Sequence, residues 1–391
     1  MAATQNYSTT ARGSVLYLAF ELGASKWKLA MSPAFGQSPR WKTIDAGDLA
    51  KLQSEILSAK KRFGLDKAAP VRSCYEAGRD GFWVHRYLTS VGIENLVVDS
   101  ASIEVSRRKR RAKNDRLDGE KLLALLIRYH AGERRAWRIV RVPSVAEEDA
   151  RHLHRELDQL KHERTTRINR LRGLLATQGL AIESVARLAE AIPDLRTWDG
   201  KALPAELQRR LMREWERLRS VSREIQDLTR ERAQRIRQGD PADGVEPVRH
   251  LLTLRGIGVN SSWLLTKEVF GWRQIENRRQ LGSLAGLTPT PYQSGDSNRE
   301  QGISKAGNRQ LRAMMMEIAW GWLRYQPDSD LSQWFRLRFA GGTSRQRRIG
   351  IVALARKLLV ALWRYVEAGE IPKGARTRTW QEGLVRHSGA A

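Results

Sequence analysis

Two aspartates are the first side chains in this 391-residue chain whose types and spacing predict chemistry. Asp115 and Asp118 follow a run, Arg107 to Lys113, in which six of the seven residues are lysine or arginine. The apolar pattern from Leu117 onward predicts a helix, and residues three apart on a helix share one face. Two such carboxylates repel unless a cation lies between them, and a divalent metal or the basic run can supply it. The alternative is a solvated helix start, with acids at the positive end of the helix dipole.

The chain before these aspartates is predicted to form an α/β domain. Apolar runs bounded by turn residues predict strands, and helical spacing of apolar residues predicts helices. The strands are expected at 14–22, 26–30, 41–44, 71–75 and 95–98, and the helices at 49–63, 82–91 and 117–129. The order strand, strand, strand, helix, strand, helix, strand, helix is that of an RNase H-like domain.

Further acids fall at informative places in that order. Glu21 lies at the end of the first strand and Glu76 follows the fourth. Ligands of open α/β sheets gather at the carboxyl ends of strands, so both acids can converge with Asp115 and Asp118. A set of carboxylates from separate segments is what a two-metal site for phosphoryl transfer requires. Taken singly, Glu21 is explained as a solvated strand-edge acid, and Glu76 as a helix N-cap neighbour or an ion-pair partner.

Composition indicates an anionic partner. Lysine and arginine number 69 against 43 acids, which gives a formal charge of +26 and a pI near 10.8. Such an excess destabilises a compact protein unless a polyanion neutralises it, and nucleic acid is the usual one. No apolar run reaches the ~20 residues that cross a bilayer, and the N-terminus has no signal-peptide core, so no membrane partner is expected. The single cysteine, Cys74, excludes an intrachain disulfide and agrees with a cytoplasmic protein.

The middle of the chain has the pattern of two long antiparallel helices. Ser144 and Glu147 form the sequence of a capping box, which announces the first helix. Apolar stripes then run from Leu153 to Leu175 and from Leu211 to Ile236, with a turn-like W-D-G sequence between them. Charged hairpins of this kind serve as coiled-coil dimerisation arms, and an intramolecular helical pair is the equal alternative.

A third, mainly helical domain is predicted from residue 246. Gly256 and Gly258 lie between two helical patterns, as in helix-hairpin-helix modules whose backbone amides approach phosphate; an ordinary interhelix turn is the alternative. The segment 288–312 reads as a polar loop, in which Ser294 is either an exposed nucleophile or a turn serine. Within that loop, Lys305, Asn308 and Arg312 are suited to contact phosphate, and loop scaffolding is the alternative role for these three residues. Nearer the C-terminus, cations suited to phosphate are Arg345, Arg347, Arg348, Arg356 and Lys357.

Several motifs resemble the insertion sequence 110 family of transposases. Those similar to its C-terminal domain are L-R-G-I-G at 254–258, L-A-G-L-T-P at 284–289, Q-S-G at 293–295, G-I-S-K-A-G-N-R-Q-L-R at 302–312 and R-R-I-G-I-V-A-L-A-R-K-L-L-V-A-L-W at 347–363. Those similar to its RuvC-like N-terminal domain are Y-E-A-G at 75–78 and K-N-D-R-L-D at 113–118. The motifs occur in the family's order along nearly the whole chain.

The resemblance implies a DNA recombinase guided by a structured noncoding RNA, the bridge RNA, that pairs with donor and target DNA. It implies three parts: a RuvC-like domain at 1–140, a coiled-coil arm at 141–245 and a C-terminal domain at 246–391. It also implies a site in which Glu21, Glu76, Asp115 and Asp118 bind Mg²⁺ and Ser294 becomes covalently joined to DNA. Implied nucleic-acid contacts are Arg107, Arg108, Lys109, Arg110, Arg111, Lys113, Gly256, Gly258, Lys305, Asn308, Arg312, Arg347 and Arg348. Assembly as a dimer or tetramer in the bacterial cytoplasm, at the nucleoid, is expected.

One residue departs from the family pattern. The family usually has aspartate in a G-I-D context at the position of Glu21, and glutamate is one methylene longer. Because Mg²⁺ demands near-ideal octahedral geometry, the site is expected to be shifted or weakened. Two other functions therefore stay open: a metal-dependent nuclease or junction resolvase that uses water, and a catalytically weakened relative that binds nucleic acid.

Overall fold

The computed structural model describes residues 15–103, 115–239, 243–294 and 297–385, with the backbone alone at 101, 115–117, 291–294 and 297–301. The chain divides into two compact units, Met1–Pro143 and Ser144–Ala391. The elements of the first unit are β1 (Leu16–Leu22), β2 (Lys26–Ser32), β3 (Arg40–Asp45), α1 (Leu49–Arg62), β4 (Val71–Glu76), α2 (Trp83–Ser90), β5 (Glu94–Val98) and α3 (Asp115–His130). Their order is the predicted one.

One five-stranded sheet, in the order β3-β2-β1-β4-β5, organises the first unit. β1, β2 and β3 pair antiparallel, whereas β4 and β5 run parallel to β1. Side chains alternate between the faces of a strand, so each face has its own core. Leu16, Leu18 and Phe20 of β1 point into a core that also contains residues of α1 and α2. Ala19 points to the opposite face, which α3 covers.

The second unit is mainly helical. Its helices are α4 (Val145–Asp149), α5 (His152–Ala176), α6 (Leu188–Ala191), α7 (Ala205–Gln238), α8 (Glu246–Leu252), α9 (Val259–Leu265), α10 (Arg278–Leu284), α11 (Arg309–Tyr325), α12 (Asp330–Phe335), α13 (Ser344–Ala368) and α14 (Trp380–Val385). A hairpin of β6 (Pro289–Ser294) and β7 (Ser297–Ile303) lies between α10 and α11. The predicted combination of an α/β part and a mainly helical part is confirmed. Among the described helices, none combines the length and hydropathy needed to cross a bilayer.

α5 and α7 form the predicted pair of long antiparallel helices. The capping box of Ser144 and Glu147 is present, but it starts the short α4, and α5 begins after a break. Leu157 and Leu160 of α5 pack with Val221 and Ile225 of α7. Farther along α5, Leu171 and Leu175 pack with residues 211 and 218 of α7, so the helices run in opposite directions. The pair buries its own apolar stripe; its use in dimerisation, and a boundary between arm and C-terminal domain, remain predictions.

A buried glutamate joins the start of α5 to the segment that follows α9. Glu268 is 3 % exposed and accepts two hydrogen bonds from Arg155, from Nε at 2.8 Å and from Nη2 at 3.1 Å. His154 Nε2 lies 3.0 Å from the same carboxylate. Burial acts to raise the pKa of Glu268, but the hydrogen bonds and charges of His154 and Arg155 outweigh it and lower the pKa to about 2.

We expect Glu268→Gln to lower the free energy of unfolding by about 3 kcal/mol at pH 7, since each pKa unit is worth about 1.4 kcal/mol. A depressed pKa stabilises the fold above the unfolded value of 4.5, and this contribution is lost as pH falls through about 2. Urea unfolding followed by circular dichroism should therefore show wild type and variant converging between those pH values. The exposed pair Glu206–Arg209 of α7 offers the control, Glu206→Gln, with an expected change below about 0.5 kcal/mol. A pH-independent loss in Glu268→Gln would contradict this account.

Candidate functional site

Three of the predicted acids line one cavity of the first unit. Glu21, Glu76 and Asp118 stand on the walls of a space of about 420 Å³. Parallel pairing of β1 and β4 sets Phe20 opposite Tyr75, so the next residues, the two glutamates, are neighbours at the carboxyl ends of adjacent strands. This arrangement agrees with the expectation that the acids gather at one edge of the sheet. Their role as metal ligands remains a prediction.

Strand alternation turns both glutamates toward α3. Glu21 shares a face of β1 with Ala19, and Glu76 shares a face of β4 with Cys74; Ala19 and Cys74 belong to the core under α3. The Cys74 thiol lies 3.9 Å from the carbonyl oxygen of Leu122 in α3, which marks how closely the helix packs on the sheet. The sheet and helix together therefore form the cavity wall.

Asp118 reaches the cavity from the first turn of α3. Leu122, one turn later, also lines the cavity, as residues four apart on a helix share a face. Gly119 lets the helix lie this close, because a Cβ there would come within 2.5 Å of the Trp41 ring on β3. Asp115 begins the same helix, three residues before Asp118, and its side chain lies outside the described part of the chain.

Two charged residues in the cavity wall were missed by the sequence analysis. Arg79 and Asp80 lie in the segment after β4, with Arg79 Nη2 3.6 Å from Asp80 Oδ1. The Tyr75 hydroxyl donates to the carbonyl oxygen of Gly81 at 3.1 Å and holds this segment in place. The described lining thus has four acids and one cation in a chain of net charge +26. The one sequence feature that could have indicated Arg79 and Asp80 is their position directly after the Y-E-A-G motif.

The cavity suits a cation by donor chemistry. Carboxylate oxygens are the ligands that Mg²⁺ prefers, and four such groups line the wall. Within the described residues, however, no three histidine, cysteine or acidic side chains come close enough together to hold a metal ion. Magnesium sites that act on nucleotides use one or two protein carboxylates and complete the shell with water and phosphate. The residues present fit that kind of site rather than a closed protein cage.

Ser294 ends β6 in the second unit, and its side chain lies beyond what the structure describes. The prediction of a polar loop over 288–312 was wrong for part of that segment, since β6 and β7 pair antiparallel and set Ser294 opposite Ser297. Turn-forming residues dominate this stretch and masked the pairing, which also contains an irregularity between Pro289 and Pro291.

The three residues expected to position phosphate near Ser294 have different surroundings. Lys305 is exposed, with a left-handed φ of 55°, and lines a groove described below. Asn308 accepts a hydrogen bond from the Leu311 amide at 3.0 Å and so caps α11. Arg312 Nη1 donates to the carbonyl oxygens of Lys305 at 3.1 Å and of Ala285 at 3.3 Å. Asn308 and Arg312 thus scaffold the loop that presents Lys305.

Gly256 and Gly258 lie in the predicted connection between α8 and α9. Gly256 has a φ of 89°, and a Cβ there would be 3.3 Å from the Tyr325 Cβ of α11. Gly258 is the N-cap of α9. Conformation and close packing account for Gly256, and contact of this turn with phosphate remains a prediction.

The basic residues fall into two groups. The basic run from Arg107 to Lys113 lies outside the described residues. Its cations are Arg107, Arg108, Lys109, Arg110, Arg111 and Lys113. Arg347 and Arg348 are exposed on α13, and of the two only Arg348 lines the groove with Lys305. The sequence did not separate these neighbours, because both are simply charged residues at a helix start.

Comparison with known proteins gives a consistent result. A family model described as the transposase IS116/IS110/IS902 family matches residues 248–332. The protein y4rJ of Sinorhizobium fredii, which carries a transposase name, is 41 % identical over 376 residues, covering 93 % of this chain and 95 % of the relative. The transposase for insertion sequence element IS1111A of Coxiella burnetii is 27 % identical and covers 64 % of this chain and 66 % of its own length. Since the similarity to y4rJ spans nearly both chains, the protein belongs to the IS116/IS110/IS902 family of transposases.

Proposed function

We propose that this transposase cuts and rejoins DNA strands with Ser294 as nucleophile and a carboxylate-bound Mg²⁺, guided by a structured noncoding RNA. Glu21, Glu76, Asp115 and Asp118 are the proposed metal ligands. The carboxylates belong to the first unit and Ser294 to the second, so the reaction requires both units.

The cavity of the first unit carries this proposal. Glu21, Glu76 and Asp118 come from two strands and a helix that are distant in sequence, and yet they line one space. Glu76 and Asp118 are exposed and Glu21 is half-buried, and three acids on one concave wall of a strongly basic protein form a specific cluster rather than scattered surface charges. The strand order 3-2-1-4-5, with the first three strands antiparallel, also supports an RNase H-like, RuvC-like domain.

Proposed roles follow from the chemistry of each group. Bound Mg²⁺ would polarise the scissile phosphate and stabilise the displaced oxygen. The Ser294 hydroxyl gives up its proton as Oγ bonds to phosphorus; the bond to one deoxyribose oxygen breaks, and that oxygen takes up a proton. The serine phosphodiester keeps the bond energy until a hydroxyl of another strand attacks phosphorus and releases Ser294. Arg79, on the cavity wall, is placed to contact phosphate.

The net charge and the α5–α7 pair bear on the guide RNA and on the oligomeric state. Neutralising a net charge of +26 takes more phosphates than a short stretch of DNA provides, which supports RNA as an additional ligand. The α5 and α7 pair offers a surface for a dimer or tetramer, with ten arginines along α7. Action at the bacterial nucleoid follows if donor and target are chromosomal DNA.

Sequencing of RNA that copurifies with the protein tests guidance. We expect one discrete RNA, encoded beside the gene, when the protein is expressed with its flanking DNA. A basic protein also binds bulk RNA by charge alone, so an unrelated protein of similar pI, purified in the same way, is the control. Recovery of ribosomal and transfer RNA fragments in the same proportions from both proteins would reject guidance and favour a metal-dependent nuclease.

A further inference from the structure

A groove of about 1,200 Å³ runs along α13 in the second unit, and we call it the α13 groove. α13 contributes ten lining residues at alternating steps of three and one: Arg345, Arg348, Ile349, Val352, Ala353, Arg356, Lys357, Val360, Ala361 and Arg364. This spacing is one continuous face of a helix. The opposite face, with Leu354 and Leu358, is fully buried in the core. The groove wall is thus one face of α13 from residue 345 to residue 364, a span of about 30 Å.

The α13 groove is strongly positive. Nine lysines and arginines line it, against two acids: Arg278, Arg279, Lys305, Arg345, Arg348, Arg356, Lys357, Arg364 and Lys373, with Asp330 and Glu370. Both acids have a partner in the groove, Lys373 at 3.6 Å and Arg364 at 4.0 Å. Within the described part of the chain, the other seven cations have no acid within 4.0 Å. A ligand with several negative charges is needed to balance them.

Between these cations the lining is aliphatic. Ile349 and Ile371 are 53 % and 56 % exposed, and Leu331, Val352 and Val360 continue the same surface. Among the residues that the structure describes, the lining contains no serine, threonine, asparagine, glutamine, histidine or aromatic residue. Of the groups that read base edges, the described lining has only arginine, lysine and two acids that are already ion-paired, so contact with the phosphate backbone is the main interaction that the groove can offer.

This chemistry distinguishes the kinds of nucleic acid. A duplex presents phosphates on its outside and keeps its apolar base faces stacked, so the aliphatic surface would gain nothing from it. A single strand exposes base faces and sugars beside its phosphates, and these can contact the aliphatic floor and the cationic rim. The described lining has the basic groove of single-strand sites but not their aromatic stacking residues, so phosphate contact dominates. The 2′-hydroxyl distinguishes RNA from DNA, and no side chain of the described lining is a neutral hydrogen-bonding group that would pair with it. Deoxyribose fits the aliphatic floor better.

We propose that the α13 groove binds an extended single strand of DNA through its backbone, without reading its sequence. The inference rests on the proposed function and deepens it, since strand cutting and rejoining pass through unpaired DNA. Pro289, Gly302 and Ile303, at the base of the β6–β7 hairpin, also line the groove. Ser294 lies five residues along β6 from Pro289, about 17 Å at 3.3 Å per residue. A strand in the groove is therefore delivered to the hairpin that carries the proposed nucleophile.

The test compares two triple variants of the full-length protein. Arg345→Ala, Arg348→Ala and Arg364→Ala together remove three exposed groove cations. Arg309→Ala, Arg324→Ala and Arg338→Ala together remove three exposed arginines of the same unit that do not line the groove. Fluorescence anisotropy measures binding to labelled oligothymidylate of about 20 nucleotides, to a duplex and to oligouridylate of equal length, over a range of salt.

For the groove variant we expect single-stranded DNA binding at least about tenfold weaker, and a salt slope smaller by about 2, since each lost phosphate contact removes ~0.7. Duplex binding and the control variant should change by less than about twofold. The triple lysine replacement of the same groove residues should retain binding, because backbone contact needs charge. Thermal unfolding checks that the variants fold alike.

Three results would overturn the inference. Equal losses for duplex and single strand would make the groove a duplex site, and a larger loss for oligouridylate would make it an RNA site. If a folded groove variant bound single-stranded DNA as the wild type does, the groove would not be its site and would bind a different anion, such as an acidic peptide. Failure of the proposed function would give a different result. In that case Ser294→Ala would keep the cleavage and any adduct of the wild type, while binding of single-stranded DNA in the groove persists.

Discussion

Ser294→Ala is expected to abolish the covalent protein–DNA product and to slow strand cleavage and rejoining by at least about 10³-fold. Without the hydroxyl oxygen no phosphodiester to the protein can form, so the proposed route through a serine intermediate is closed. Binding of DNA and RNA should stay within about twofold, because one hydroxyl contributes little to contacts dominated by phosphate charge. Denaturing electrophoresis of end-labelled DNA, after incubation with Mg²⁺ and the copurified RNA, detects both adduct and cleaved strand.

The hairpin offers a matched control. Ser297 is opposite Ser294 in the β6–β7 register, so Ser297→Ala makes the same chemical change at the neighbouring position. It should keep adduct formation. If Ser294→Ala still cut DNA without an adduct, the enzyme would use water, and the nuclease or resolvase function would replace recombination through serine.

Local pattern was enough to predict the first unit. Alternation in β1 separates Leu16, Leu18 and Phe20 from Ala19 and Glu21, and this period is set by neighbouring residues alone. Strand ends are marked by turn residues, so the positions of Glu21 and Glu76 could be assigned before any fold was known. Their adjacency then follows from the parallel pairing of β1 with β4, which the order of elements implied.

Features that depend on tertiary contact were not predictable in the same way. The β6–β7 hairpin consists of residues that also suit loops, and only pairing distinguishes the two. Arg347 and Arg348 are identical in type and adjacent, and the packing of the opposite face of α13 decides which one lines the groove. Arg312 Nη1 donates to the backbone carbonyls of residues 285 and 305, a tertiary contact that the sequence does not show, and contact of Arg312 with phosphate remains a prediction. Arg79 and Asp80 face the cavity because the Tyr75 hydroxyl fixes their segment.

Asp118→Asn is expected to reduce DNA cleavage by at least about 100-fold while leaving DNA binding unchanged. The substitution keeps size and shape but replaces a charged oxygen donor by an amide, which lowers affinity for a hard cation such as Mg²⁺. Because Gly119 and Leu122 fix the first turn of α3 against the sheet, the variant should fold like the wild type. Cleavage measured against Mg²⁺ concentration should show a higher requirement for the ion as well as a lower maximal rate.

Glu120→Gln provides the control on the same helix, since Glu120 is two residues from Asp118 and does not line the cavity. Its cleavage rate should stay within about twofold of wild type. If both variants cut DNA at the wild-type rate, Asp118 would not be a metal ligand. The acidic wall would then be a surface feature. Binding without cleavage by the wild-type protein itself would instead indicate a relative whose catalysis is weakened by the longer side chain of Glu21. A loss confined to Asp118→Asn assigns the chemistry to the cavity, because the two changes have the same effect on net charge and on the helix.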